Sequence, residues 1–114
     1  MAPNGPYKLV TVNTAPERAE RLIGRVIEDL KDQYTIQHMT NSIDAVEGTV
    51  KEIQPDLLFC ASMWTPEESA RIQQIARDSD PRIKTHAIPH GLQVEKGPNA
   101  VVEYVKEQIP EILG

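Results

Sequence analysis

Asp56-Leu57-Leu58-Phe59-Cys60-Ala61 is an apolar run with no wet face after its first residue. It is too short for a helix and lacks the alternation of a strand that faces water on one side. The fitting solution is a central strand buried on both faces, and that requires helices above and below a parallel sheet. Pro55 precedes the run. Thr65-Pro66-Glu67-Glu68 follows it, a capping box with proline at the first helical position. The run therefore leads through Ser62-Met63-Trp64 into a helix start.

The flanking segments switch period in the same way. Residues 7–13 are β-branched and read as a first strand. Ala19, Leu22, Ile23, Val26, Ile27 and Leu30 then fall on one helical stripe. Thr14-Ala15-Pro16-Glu17 matches a second capping box at its start, and Gly24 inside the helix reads as a point of close packing on the sheet. Residues 34–40 alternate and are polar, as a strand near a sheet edge would be. Asn41 or Ser42 is expected to cap a helix carrying Ile43, Val46, Val50 and Ile53. The helix after Thr65 turns Ile72, Ile75 and Ala76 inward. Residues 83–88 form a polar fourth strand with Pro89 at its end. Residues 91–97 read as a connection, with a short strand at Leu92-Gln93-Val94 left open. The final helix carries Val101, Val102, Val105, Ile109 and Ile112, and Pro110 is expected to break or tighten it.

Strands thus alternate with helices, which predicts an α/β three-layer sandwich. The apolar strands one and three belong inside and the polar strands two and four outside. The expected sheet is four-stranded and parallel, order 2-1-3-4, a flavodoxin-like layout. About ten residues separate strand four from the last helix, short of the roughly dozen a parallel crossover needs, so no fifth strand is expected. With 114 residues the chain suits one domain, taken as residues 7–114 behind a disordered leader of residues 1–6.

Composition narrows the function classes. The net charge is −5 with no basic run, which argues against nucleic acid or an anionic membrane as partner. No apolar run approaches the ~18 residues of a membrane span. The reading is a soluble, cytoplasmic protein. The single Cys60 rules out an internal disulfide and reads as a buried small hydrophobe. His38, His86 and His90 lack metal-ligand spacing, so no metal and no cofactor are expected.

Three segments carry a family likeness. They are Asn41-Ser42-Ile43-Asp44-Ala45-Val46, then Glu52-Ile53-Gln54-Pro55-Asp56-Leu57-Leu58, then Met63-Trp64-Thr65-Pro66-Glu67. In this order, over a layout covering residues 7–90, the chain resembles a response-regulator receiver domain. That resemblance implies a doubly wound fold and a signalling role. It does not carry the family's chemistry. Asn13 and Thr14 stand where receivers hold magnesium with two acids, and Ala61 or Ser62 stands at the phosphoacceptor position. The chain reads as a degenerate receiver. The small phosphotransfer IIB proteins share the layout, but they place a cysteine after strand one, where this chain has none.

With order 2-1-3-4 the strand order reverses between strands one and three, so their carboxyl ends form the crevice such folds use. Its candidate residues are Asn13, Thr14, Ser62, Met63, Trp64, Thr65 and His90. Thr14 and Thr65 are helix caps in the first instance and anion ligands in the second. Trp64 either anchors a partner or folds back as a lid on the core. Ser62 and His90 have the types of a nucleophile and base but no acid to orient them, so no catalytic residue is assigned. The expected function is a non-catalytic, receiver-like regulatory or protein-interaction module. A protein partner is expected, with homodimerisation through a helix face or the strand-four edge. The alternative is a small enzyme or a small-molecule or anion-binding protein that uses this crevice.

Overall fold

In the computed structural model, which describes residues 4–113, four parallel strands lie in the order β2-β1-β3-β4. They are β1 (Asn4–Val12), β2 (Tyr34–Asn41), β3 (Leu57–Cys60) and β4 (Lys84–Ala87). Between them run α1 (Pro16–Leu30), a 3₁₀ turn (Ile43–Ala45) leading into α2 (Val46–Ile53), and α3 (Pro66–Ser79). α4 (Leu92–Lys96) and α5 (Pro98–Leu113) follow β4. This is the flavodoxin-like α/β arrangement the sequence pattern predicts, with the apolar strands inside and the polar strands at the edges.

The two central strands, β1 and β3, divide their side chains between two cores. Leu9, Leu57 and Phe59 face α1 and α5, where Leu22, Ile23, Val26, Val101, Val105 and Ile109 are buried against them. Val10, Val12, Leu58 and Cys60 face α2 and α3, packing on Val46, Val50, Ile72 and Ala76. All four residues of β3 are fully buried, which explains why that run has no polar position. Each such side chain contributes about 1.5–3 kcal/mol on removal from water.

Register at the carboxyl end is set by the pairs Val12↔Asn41, Val12↔Cys60 and Cys60↔Ala87. At the opposite end Asp56 stitches the strands together. Its carboxylate accepts the Lys8 backbone N–H at 2.8 Å, and its own N–H donates to the Lys8 carbonyl at 2.9 Å. Asp56 is thus a ladder residue at the strands' amino ends, remote from the crevice.

Several boundaries differ from the sequence reading. β1 already starts at Asn4, because Asn4 pairs with Tyr34, so residues 4–6 do not belong to a leader; residues 1–3 lie outside the described residues. Residues 91–97 hold a helical turn, α4, in place of a plain connection or short strand. Gly91, with φ of 79°, makes the entry, a left-handed conformation that glycine adopts without cost. Neither Asn41 nor Ser42 caps α2; the 3₁₀ turn intervenes, and Ser42 leads into it without a side-chain cap bond. Gly24 does not mark close packing on the sheet: it is exposed, and an added Cβ would meet nothing within 4 Å.

Pro110 does not break α5, which runs on to Leu113. Proline removes one N–H bond, but Ile109 is fully buried and Ile112 and Leu113 pack on the core. The Lys84 ammonium also donates to the Ile112 carbonyl at 2.8 Å, satisfying one group of the last turn.

Candidate functional site at the carboxyl ends of β1 and β3

The crevice is built from two loops that leave adjacent strands. The Ala61 N–H donates to the Val12 carbonyl at 3.1 Å, which keeps the two loops side by side as the strands end. Asn13 follows Val12 and is buried, with 4% of its surface exposed. Its side chain acts as a staple. Nδ2 donates to the Thr11 carbonyl and to the Thr11 hydroxyl, each at 3.3 Å, while Oδ1 accepts the Ala15 N–H at 3.0 Å.

Thr14 is exposed and does not cap α1. The first residue outside that helix is Ala15, and α1 has no side-chain cap, so the expected Thr14–Glu17 box is absent. The thioether of Met63 takes the Thr14 donors instead. Thr14 Oγ1–H and N–H point at Sδ from 2.9 and 3.1 Å. Pro16 brings no N–H to the first turn, so the helix start tolerates this arrangement.

On the β3 side, Thr65 forms the full capping box. Its hydroxyl accepts the Glu68 N–H at 3.2 Å, and the Glu68 carboxylate accepts the Thr65 N–H at 3.0 Å. Trp64 turns away from the crevice. Its indole N–H donates to the Val12 carbonyl at 2.8 Å, and its ring packs on the core beneath α2 and α3. It is a lid on the core. Exposed His90 donates from Nδ1 to the Trp64 carbonyl at 2.8 Å, which ties the loop after β4 to the loop after β3. The Ser62 carbonyl accepts the Gly91 N–H at 2.9 Å in the same tie.

The structure therefore brings Asn13, Ser62 and Met63 around one small cavity, leaves Thr14 outside it against the Met63 sulfur, sends Trp64 into the opposite core, and uses Thr65 and His90 in local hydrogen bonds. The cavity measures about 40 Å³ and is lined by Thr11, Asn13, Ala61, Ser62, Met63 and Gln93 among others, none of them a carboxylate. That volume holds one or two waters. Ligand pockets are typically about 300–1,000 Å³. A second, more open cleft of about 260 Å³ lies across Asn13 and Thr14, between them and Thr40, Asn41 and Ser42. Beside it the Asn41 Nδ2 is buried with no hydrogen-bond partner.

One polar chain at the site is not evident from sequence spacing. His38 Nε2 and the Thr11 hydroxyl share a bond of 2.8 Å, and Thr11 continues to Asn13 and so to Ala15 at the start of α1. The hydroxyl accepts from Asn13, so its own proton is free to point at a neutral imidazole. Burial pushes the His38 pKa down to about 4. The available signal was strand parity. Thr11 and His38 share the face of Leu9 and Ile36, so both polar groups had to point inward. His86 is likewise no plain surface residue; it is half-buried, bonds the Tyr104 hydroxyl and lies 5.7 Å from the Phe59 ring. Its pKa is lowered by burial. Cys60 is sealed in the sheet, and burial pushes its thiol up to about 12, so it is no nucleophile at neutral pH.

No family model, curated protein or solved structure gives a significant match to this chain.

Proposed function

We propose that this chain is a non-catalytic, receiver-like regulatory or protein-interaction module that acts in the cytoplasm and is not phosphorylated on aspartate. One observation carries this reading: the crevice is occupied by the protein's own side chains. The Met63 sulfur sits against the Thr14 donors, and the cavity between the two loops keeps only about 40 Å³, beside residues that include no carboxylate. A receiver-type acyl phosphate needs an acidic acceptor and hard oxygen ligands for magnesium at these loops. A protein surface is what such a domain has left to offer.

The test is treatment with acetyl phosphate and magnesium, followed by intact-mass measurement. The unmodified mass is expected, and a phosphorylated species would overturn the reading. Trp64 fluorescence, titrated with phosphate, nucleotides and small carboxylates, serves as a second check. The indole bonds to the last residue of β1, so an occupied crevice would change its emission.

The anion-binding alternative draws on the unpartnered Asn41 Nδ2 beside the cleft of about 260 Å³. It predicts a saturable response to phosphate that Asn41→Ala abolishes.

A further inference from the structure

We propose that the free edge of β2, together with the flank of α1 above it, is a self-association surface whose occupant is a second copy of this chain, related by a two-fold axis. The proposal stands independently of the crevice reading, because it uses the lateral edge of the sheet around Gln37 and not the carboxyl ends of β1 and β3.

The two sheet edges are built differently. β4 is a four-residue strand that opens on a lysine, with Pro81 and Pro89 just beyond its ends. The Thr85 hydroxyl is held by Arg77 at 3.1 Å and by Gln73 at 2.9 Å. Short length, charge and proline are the usual protections of an edge. β2 has none of them. It runs for eight residues, Tyr-Thr-Ile-Gln-His-Met-Thr-Asn, without proline, Asp, Glu, Lys or Arg. Among the described residues, β1 and α1 are its main packing neighbours, which leaves the outer row of N–H and C=O groups open. On a molecule of net charge −5, this uncharged edge is where two copies can meet without repulsion.

The side chains match themselves under the two-fold operation. In an antiparallel pairing centred on Gln37, the two Gln37 side chains face each other and Met39 lies opposite Thr35 of the second copy. Met39 is 41% exposed, one of two large hydrophobic side chains left in solvent among the described residues, and this pairing covers it.

Above the strand, α1 has two flanks. One carries Asp29, which holds Lys106 of α5 at 3.0 Å. The other, by helical spacing, carries Glu20, Gly24, Ile27 and Lys31. For two antiparallel copies of α1 crossing midway between Gly24 and Ile27, each Glu20 meets Lys31 and each Gly24 faces Ile27. Gly24 costs about 1 kcal/mol in a helix interior, and within one copy nothing approaches it. The close approach of a second helix gives it a purpose. The contact is small next to the roughly 1,200–2,000 Å² of a stable complex, so the dimer is a weak and reversible one.

Sedimentation equilibrium of the full chain from micromolar to millimolar concentration reads the mass directly. A rise from 12.8 kDa toward twice that value is expected. Gln37→Lys places like charges across the axis, and Gly24→Lys blocks the helix approach. Each should weaken association at least about tenfold; Gln37→Lys, at an exposed site, should leave the urea midpoint of the monomer nearly unchanged, and Gly24→Lys should raise it slightly, since it replaces a glycine at an open, exposed helix position. Mixing Gln37→Lys with Gln37→Glu should restore a dimer made of one of each. A monomer at every concentration would overturn the proposal. So would a dimer indifferent to both substitutions, or a mixture no tighter than either variant alone.

Discussion

Two helices of this protein begin with nearly the same words. Thr14-Ala15-Pro16-Glu17 opens α1 and Thr65-Pro66-Glu67-Glu68 opens α3, and both read as a threonine cap with a glutamate three residues on. Only the second behaves that way. With Pro66 directly after Thr65, the threonine sits one residue before the helix, where its hydroxyl reaches the Glu68 N–H. At α1 the proline comes one residue later, so Ala15 takes the cap position and Thr14 falls outside. The start of α1 is held instead from below, by His38, Thr11 and Asn13. One helix start is secured by neighbours in sequence. The other is secured by residues brought together across two strands.

The contrast can be broken by mutation. Asn13→Ala should have the largest effect, a loss of about 2–3 kcal/mol in urea unfolding, since it leaves the part-buried Ala15 N–H without its partner and removes both bonds to Thr11. A loss below about 0.5 kcal/mol would mean that α1 does not depend on this staple.

Acid should loosen the α1 start next. His38 has its pKa lowered to about 4 by burial, so between about 6.5 and 4 the unfolded chain binds the extra proton. Its contribution is therefore complete above about pH 6.5 and is lost as pH falls toward 4. After discounting for its partial exposure, the loss is about 1–2 kcal/mol. Unfolding measured at pH 7.5 and pH 5 should show a smaller difference in His38→Gln than in the wild type.

Thr65→Ala should cost about 1 kcal/mol, the usual worth of a lost cap. Thr14→Ala should cost less than about 0.5 kcal/mol, because the Met63 sulfur is a weak acceptor at an exposed site. Equal losses from the two threonines would erase the distinction.

The same contrast separates what was legible in the chain from what was not. The run through Phe59 and the stripes at Leu22–Val26 and Val101–Val105 report burial through local spacing, and burial decides strand order here. The seven crevice candidates all follow the carboxyl ends of β1, β3 or β4, as the pattern of strands implies. Their side-chain directions were not legible. Trp64 could turn to either side of its loop, and the Val12 carbonyl, which accepts the indole N–H beside the Ala61 N–H, decided which. Met63 reaches Thr14 from a residue 49 positions away in the chain. His38 gave no local sign that its partner was Thr11.

The sequence by itself determined the four strands and the four longer helices (but not the short α4 or the 3₁₀ turn before α2), the strand order in the sheet, the two cores and the cap at Thr65. All of these depend on hydrophobic period or on groups within one helical turn. Tertiary structure decided how α1 is held, where Trp64 points, and that the crevice is closed by Met63. Those outcomes are competitions among hydrogen-bond donors, acceptors and small volumes on different strands, and they are settled only when β1, β2 and β3 lie side by side.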